Sequence, residues 1–233
     1  MSPTARGITM AAMLLTSAGF ARLGVWQLSR LHQRRAANAT TLAARAAPPA
    51  QLGAGSSRSD TLGEHYVVAE GRYDHGHEIL IRGEVFEGAP GVEVVTPLLL
   101  AGGGPAVLVN RGFLPAPDAV SAVTEGTQEP GPRTVRGLAL PLGSAPGEPV
   151  EHAGRTTWRR LDAGELRQRL PYAILPIYIL QTPDSSLPRF PRRLEAPVVD
   201  DGPHLGYAIQ WFLFAGLAAA FAVLVVGRTG GRR

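Results

Sequence analysis

The chain has 233 residues with 23 basic and 19 acidic side chains, a formal net charge of +4, and every basic residue is an arginine. Zero cysteines exclude a disulfide scaffold, cysteine-ligated zinc or iron–sulfur clusters, and thiol catalysis in one step. The 28 glycines and 20 prolines fall short of a wholly disordered composition and follow no collagen period, and the length suits one domain with attached segments.

Residues 1–7 form a short tail. Ile8 to Ala21 is uncharged and mostly apolar, Arg22 interrupts the run, and LGVWQL carries it on to Leu28. A cleaved signal peptide would share the first part of this pattern. The apolar character that resumes after Arg22, and Trp26 at an interfacial position, favour a retained transmembrane helix over 8–28, with Arg22 snorkelling from near its end. Residues 29–60 read as an Arg- and Ala-rich helical segment broken at Pro48 and Pro49, then a surface connection, Gly53 to Asp60.

Residues 61–203 read as one small β-rich domain. Alternating or β-branched stretches recur at Tyr66–Tyr73, Glu78–Arg82, Val92–Leu100, Ala106–Phe113, Thr134–Leu140 and Ala173–Leu180, joined at first by Gly- or Pro-bearing links. The spacing predicts an antiparallel sheet or small open barrel and not parallel βαβ units. Pro115 to Pro130 reads as a long loop. One soluble helix follows Asp162 as its cap, with Glu165 placed for a capping box and Pro171 ending it. Thr182 to Pro203 is proline-rich and is predicted to run extended towards the second apolar segment.

Leu205 to Val226 holds no charged residue and is long enough to cross a hydrocarbon core of roughly 30 Å, so 204–226 is the second predicted transmembrane helix, with a basic tail at 227–233 (Arg228, Arg232, Arg233). Two spans place both termini on one side and the β domain on the other. Arg30, Arg34, Arg35, Arg45, Arg189, Arg192 and Arg193 flank the spans on the domain side, and that count alone would make the domain cytoplasmic. Long translocated domains escape the rule, so charge leaves the side open. Ala215, Gly216, Ala219 and Ala220 permit close helix contact, a homo-oligomer included.

The arginines are scattered among acids without interleaved aromatics, which argues against nucleic acid as a partner; near the spans they read as contacts to the lipid bilayer. No G-x-S-x-G, H-E-x-x-H or P-loop is present, and the chain reads as a non-enzyme. His75 and His77 form an H-x-H pair with no third ligand in view and read as solvated turn residues. His65 and His152 carry no pattern. Asn110, Arg111 and Gly112 read as a structural turn or an interface. His204 stands just outside the apolar run and heads a helical stripe with Tyr207, Trp211 and Phe214. Such a stripe suits an axial imidazole on a haem iron with rings packed on the macrocycle. It equally suits an interfacial belt that binds nothing, which on the stripe alone is the commoner arrangement. His32 would lie at the same face of the membrane.

Three motifs together carry a resemblance. They are G-x-W-Q-L-x-R-L (Gly24 to Leu31), V-E-V-V-T-P-L (Val92–Leu98) with V-L-V-N-R-G-F-L-P (Val107–Pro115), and H-L-G-Y-A-I-Q-W-F (His204–Phe212). In this order, between two apolar runs, they resemble the Surfeit locus protein one family of cytochrome c oxidase assembly factors. Gln33 and Arg34 stand where the family often has W-K, and Phe113 replaces a frequent Trp. The resemblance implies a multi-pass protein of the cell membrane, both termini cytoplasmic and the domain extracytoplasmic. It further implies a role in maturing the catalytic subunit of cytochrome c oxidase, haem a as a transient cofactor, and His204 as its metal ligand. With the spans side by side, Gly24, Trp26 and Gln27 would wall the pocket with Tyr207 and Trp211, while Arg30 and Arg34 would pair with the propionates. A scaffold or accessory subunit that never touches haem is the alternative.

Overall fold

A computed structural model of the chain describes residues 2–53, 59–144, 149–152 and 155–227. The expected tail arginines Arg228, Arg232 and Arg233, and most of the connection expected from Gly53 to Asp60, lie outside the described residues. The chain divides into two units, Met1–Leu42 with Val199–Arg233, and Ala43–Val198.

The first unit is built on two helices. Helix α1 runs without a break from Pro3 to Ala46. Ser2 Oγ accepts from the Ala5 N–H at 3.2 Å, Pro3 occupies a first-turn position where its missing N–H costs nothing, and Pro48 bars continuation. The expected span over 8–28 and the start of the expected helical segment after it fall on this one helix, with good helix formers on both sides of 28/29. At about 1.5 Å per residue α1 is roughly 66 Å long, twice what a bilayer core requires. Helix α3 spans His204–Gly227. Both helices are long and apolar enough to cross a membrane.

The second unit is β-rich. Its strands are β1 (Ala50–Leu52), β2 (Tyr66–Tyr73), β3 (Ile79–Phe86), β4 (Ala89–Leu100), β5 (Ala106–Pro115), β6 (Pro132–Pro141), β7 (Val150–His152), β8 (Arg155–Trp158) and β9 (Ile174–Gln181), with helix α2 (Ala163–Arg169) before β9. The order is β1-β2-β6-β9-β5-β4-β3-β8-β7, and β2 also pairs with β4. That extra pairing, Gly71–Tyr73 against Leu98–Leu100, closes β2-β6-β9-β5-β4 into a five-stranded barrel. The expected open barrel is therefore closed. The expected antiparallel pairing holds for most neighbours, but β1–β2, β3–β8 and β5–β9 are parallel. The short strands β1, β7 and β8 carry too few residues to show a period-2 pattern in sequence.

The twelve-residue β4 belongs to two structures at once. Its second half closes the barrel, and its first half pairs with β3 to extend the sheet beyond it. Val67, Val109, Val135 and Ile179 fill the barrel, while Ile81, Leu108, Trp158 and Leu166 form a second core under α2. Asp162 caps α2 by accepting from the Gly164 and Glu165 N–H groups, and Glu165 faces Arg169 at 3.6 Å.

The N-R-G segment is not a turn. Val94 pairs with Gly112 and Val95 with Asn110, so Arg111 is the unpaired residue of a β-bulge in β5. Asn110 Oδ1 accepts from the Gly112 N–H at 2.9 Å, and its amide donates to Glu93 at 2.6 Å. Gly112 has φ +111°, and a Cβ there would stand 2.1 Å from the Arg192 carbonyl oxygen, so only glycine fits. The bulge turns Arg111 inward, 0% exposed.

Candidate functional site

In the first unit, α1 and α3 meet along a seam of small and aromatic side chains. Ala208, Ala215 and Ala222 recur every seven residues on α3 and are buried; Gly24 and Leu31, also seven apart, are buried on α1. A Cβ on Gly24 would lie 2.8 Å from the Phe212 ring, so this glycine sets how closely the helices approach. Ser17 donates to the Ala215 carbonyl at 2.8 Å. Phe20 stacks on Trp211 at 5.6 Å and meets Phe214 at 5.7 Å.

One end of the seam is polar. Asp201 pairs with Arg35 at 2.8 Å, Asn38 donates to the Asp200 carbonyl at 2.7 Å and to Asp201 at 3.3 Å, and Arg34 donates to the same carbonyl at 3.3 Å. These bonds tie the residues before α3 to α1 and so fix the register at which His204 enters. There His204 Nδ1 faces Gln27 Oε1 at 2.9 Å. With the Gln27 oxygen as acceptor, the ring proton sits on Nδ1 and the lone pair on Nε2 is left for another partner.

The residues expected at the site separate into groups. His204 and Gln27 come together. Trp211 packs with Phe20 and Phe214 and is committed to the seam. Tyr207 is 49% exposed. Trp26 is 53% exposed, and at about 100° per residue the helix carries it to the face opposite Gly24, not into a shared wall with Gln27. Arg30 donates to Gln33 at 3.0 Å, and Arg34 is held by Asp200. The inward stripe of α3 is His204, Ala208, Trp211 and Ala215; it differs from the expected His204, Tyr207, Trp211, Phe214 because a two-helix seam selects a 3.5-residue period. His32 is exposed. The small residues facing the seam are Ala208, Ala215 and Ala222, of which only Ala215 was among those singled out.

The second unit holds a buried polar cluster that the sequence reading missed. Glu129, 2% exposed, accepts from Arg111 at 2.9 Å and from Arg193; Arg111 also donates to Glu78 at 3.3 Å and to the Thr127 carbonyl, and lies 5.1 Å over the Tyr73 ring. Arg193 further donates to Gln181 at 3.0 Å and to the Pro191 carbonyl at 2.8 Å. Burial pushes the Glu129 carboxyl up, but its two arginines outweigh that and hold it below the ordinary glutamate range. The cluster pins the 116–131 loop and the 182–198 arm to the barrel. The arm, expected to run extended, pairs Arg192 with Phe113 in both directions at 2.8 Å, an antiparallel bridge onto β5. The sequence signal was an arginine inside the apolar run VLVNRGFL.

Of the H-x-H pair, His77 is exposed in a short turn, as expected, whereas His75 is partly buried and bonded. His75 Nε2 accepts the Glu129 N–H at 3.2 Å, and His77 Nδ1 faces Asp74 at 2.7 Å. Burial pushes the Asp74 carboxyl up; hydrogen bonds from Tyr172 and His77 outweigh it and hold the group below its ordinary range. Among the described residues no group of three or more His, Asp or Glu is placed to hold a metal ion.

Two helices long and apolar enough to cross a membrane, at either end of a chain whose middle is a β-rich domain with a closed barrel, define a class. The sequence matches the SURF1 family over residues 14–216, and the chain belongs to that family, known in general for cytochrome c oxidase assembly factors. It is similar to a SURF1-like protein of Monosiga brevicollis, 29% identical over 223 residues covering 91% of this chain and 84% of that one. It is also similar to Surfeit locus protein 1 of Rattus norvegicus, 26% identical over 217 residues covering 87% and 69%. A SURF1-like protein of Rickettsia felis is 27% identical over 227 residues covering 94% and 95%.

Proposed function

We propose that this chain is a non-enzymatic assembly factor for cytochrome c oxidase, anchored in the cell membrane by α1 and α3, that binds haem a transiently through His204 and passes it to the catalytic subunit. Both termini are cytoplasmic and the β domain is extracytoplasmic in this reading. The observation that supports it is the 2.9 Å approach of His204 Nδ1 to Gln27 Oε1: with that oxygen as acceptor Nε2 keeps its lone pair, the arrangement that hydrogen-bonded partners give to metal-bound histidines. When bound, haem a supplies the redox-active iron that the oxidase needs; this chain supplies a single imidazole and an apolar surface. One exchangeable ligand suits a protein that must release what it holds.

Tyr207 is the ring free to lie against the macrocycle, since Trp211 is held by Phe20 and Phe214. Arg30, exposed at the same end of α1, is the guanidinium placed for a propionate. The closed packing of Trp211 favours a second reading, a scaffold that binds the oxidase and no haem. Purification from cells that make haem a separates the two. A haem a spectrum lost in His204→Ala supports the first; a colourless wild type that still co-purifies with oxidase subunits supports the second.

A further inference from the structure

Arg22 lies inside the apolar stretch of α1, five residues below Gln27 and so about 7.5 Å beneath the His204 level. It is exposed and makes no hydrogen bond or ion pair among the described residues. Gly24, Gln27 and Leu31 face α3, which places Arg22 and Trp26, one turn apart, on the opposite side of α1. A side chain on a helix leans towards the N-terminus, which here points away from the nearer polar rim and deeper into the apolar layer. Snorkelling to that rim works against the lean, and the far rim lies some 20 Å away across a roughly 30 Å core.

Neither long apolar helix carries a carboxylate that could serve. Residues 1–46 and 204–233 contain no Asp or Glu, so neither α3 nor either helix of a second copy offers an acid at this depth. The surface below Arg22 is also shaped for close approach: Ala11, Ala18 and Gly19 are exposed, and a Cβ on Gly19 would meet nothing within 4 Å. Gly24 is explained by Phe212; Gly19 is explained by nothing among the described residues.

We infer that the back face of α1 docks a transmembrane helix of a different protein, one carrying an Asp or Glu that pairs with Arg22 inside the apolar layer. This rests on reading α1 as a membrane span and is independent of haem binding.

The test uses the full chain in its native membrane with a photo-cross-linking residue at position 18. The expected product is one heterologous adduct, mapped to a membrane helix that bears an acid. Its yield falls at least tenfold in Arg22→Leu, is largely kept in Arg22→Lys, and returns when Arg22→Glu meets an arginine at the partner's acid. Arg22→Gln replaces the leucine variant if that one fails to accumulate. Adducts to lipid alone, adducts between two copies, or a yield indifferent to Arg22→Leu overturn the proposal. The chain has no cysteine, so Arg22→Cys reports burial directly with an impermeant thiol reagent. Ready labelling would sink the span and the proposal together; protection with lipid-only adducts would sink the proposal alone.

Discussion

His204 Nδ1 and Gln27 Oε1 stand 2.9 Å apart across the seam between α1 and α3, and with the Gln27 oxygen as acceptor the imidazole proton sits on Nδ1. Gln27→Leu leaves the ring in place but frees its tautomer and rotation. The expected outcome is a loss of roughly tenfold or more in haem a affinity, as when the hydrogen-bond partner of a ligating histidine is removed. Equilibrium titration of the purified protein followed by visible absorption measures it; an unchanged affinity would remove Gln27 from the site.

The buried cluster makes a prediction about the β domain alone. Glu129 is shared by Arg111 and Arg193, both buried. Replacing it with leucine leaves two guanidinium groups without their common carboxylate, which costs about 3–5 kcal/mol. Denaturant unfolding followed by the fluorescence of Trp158, buried in the second core, reads the loss. A change below about 1 kcal/mol would show that solvent reaches the cluster.

Two glutamates should give opposite pH dependences. Glu129 is held below the ordinary range, so its contribution is complete above the unfolded value of about 4.3 and is lost as pH falls through its lower folded value. Burial pushes the Glu93 carboxyl up, against the hydrogen bond from Asn110 and with help from the Glu84 charge. A raised carboxyl disfavours the folded state once ionised, and the cost is relieved as pH falls through its folded value. Glu93→Gln keeps an acceptor for Asn110 without the charge. Its Tm should exceed the wild type at pH 8 and converge with it in acid; a lower Tm at every pH would contradict this.

Two glycines offer a matched pair. Gly112→Ala meets both a positive φ and the Arg192 carbonyl, with no flexible atom to yield, and should cost more than about 2 kcal/mol. Gly19→Ala has open space and helical geometry, and by propensity alone leaves the fold intact. Thermal unfolding of both variants checks the contrast.

The apolar helices and the six longer strands were legible because periodicity and length carry them: Tyr66–Tyr73 has the same ends in sequence and structure. Barrel closure was not legible, because three residue pairs between β2 and β4 leave no mark on composition. His204 could be singled out by its place at the end of an apolar run. Its partner was named only as pocket wall, since the hydrogen bond depends on helix register. Trp26 was drawn to the site by residue type, whereas the rotation of α1, set by Gly24 and Leu31 against α3, turns it outward. Arg111 looked like part of a turn because N-R-G carries turn residues; the bulge that buries it is visible only once β4 and β5 are paired.

The most direct measurement is a titration of haem a into the detergent-purified full-length chain, wild type beside His204→Ala, read by visible spectroscopy. One equivalent bound with an imidazole-ligated spectrum, lost in His204→Ala while the β domain keeps its Tm, is the predicted result. Equal binding and identical spectra for the two proteins would contradict it.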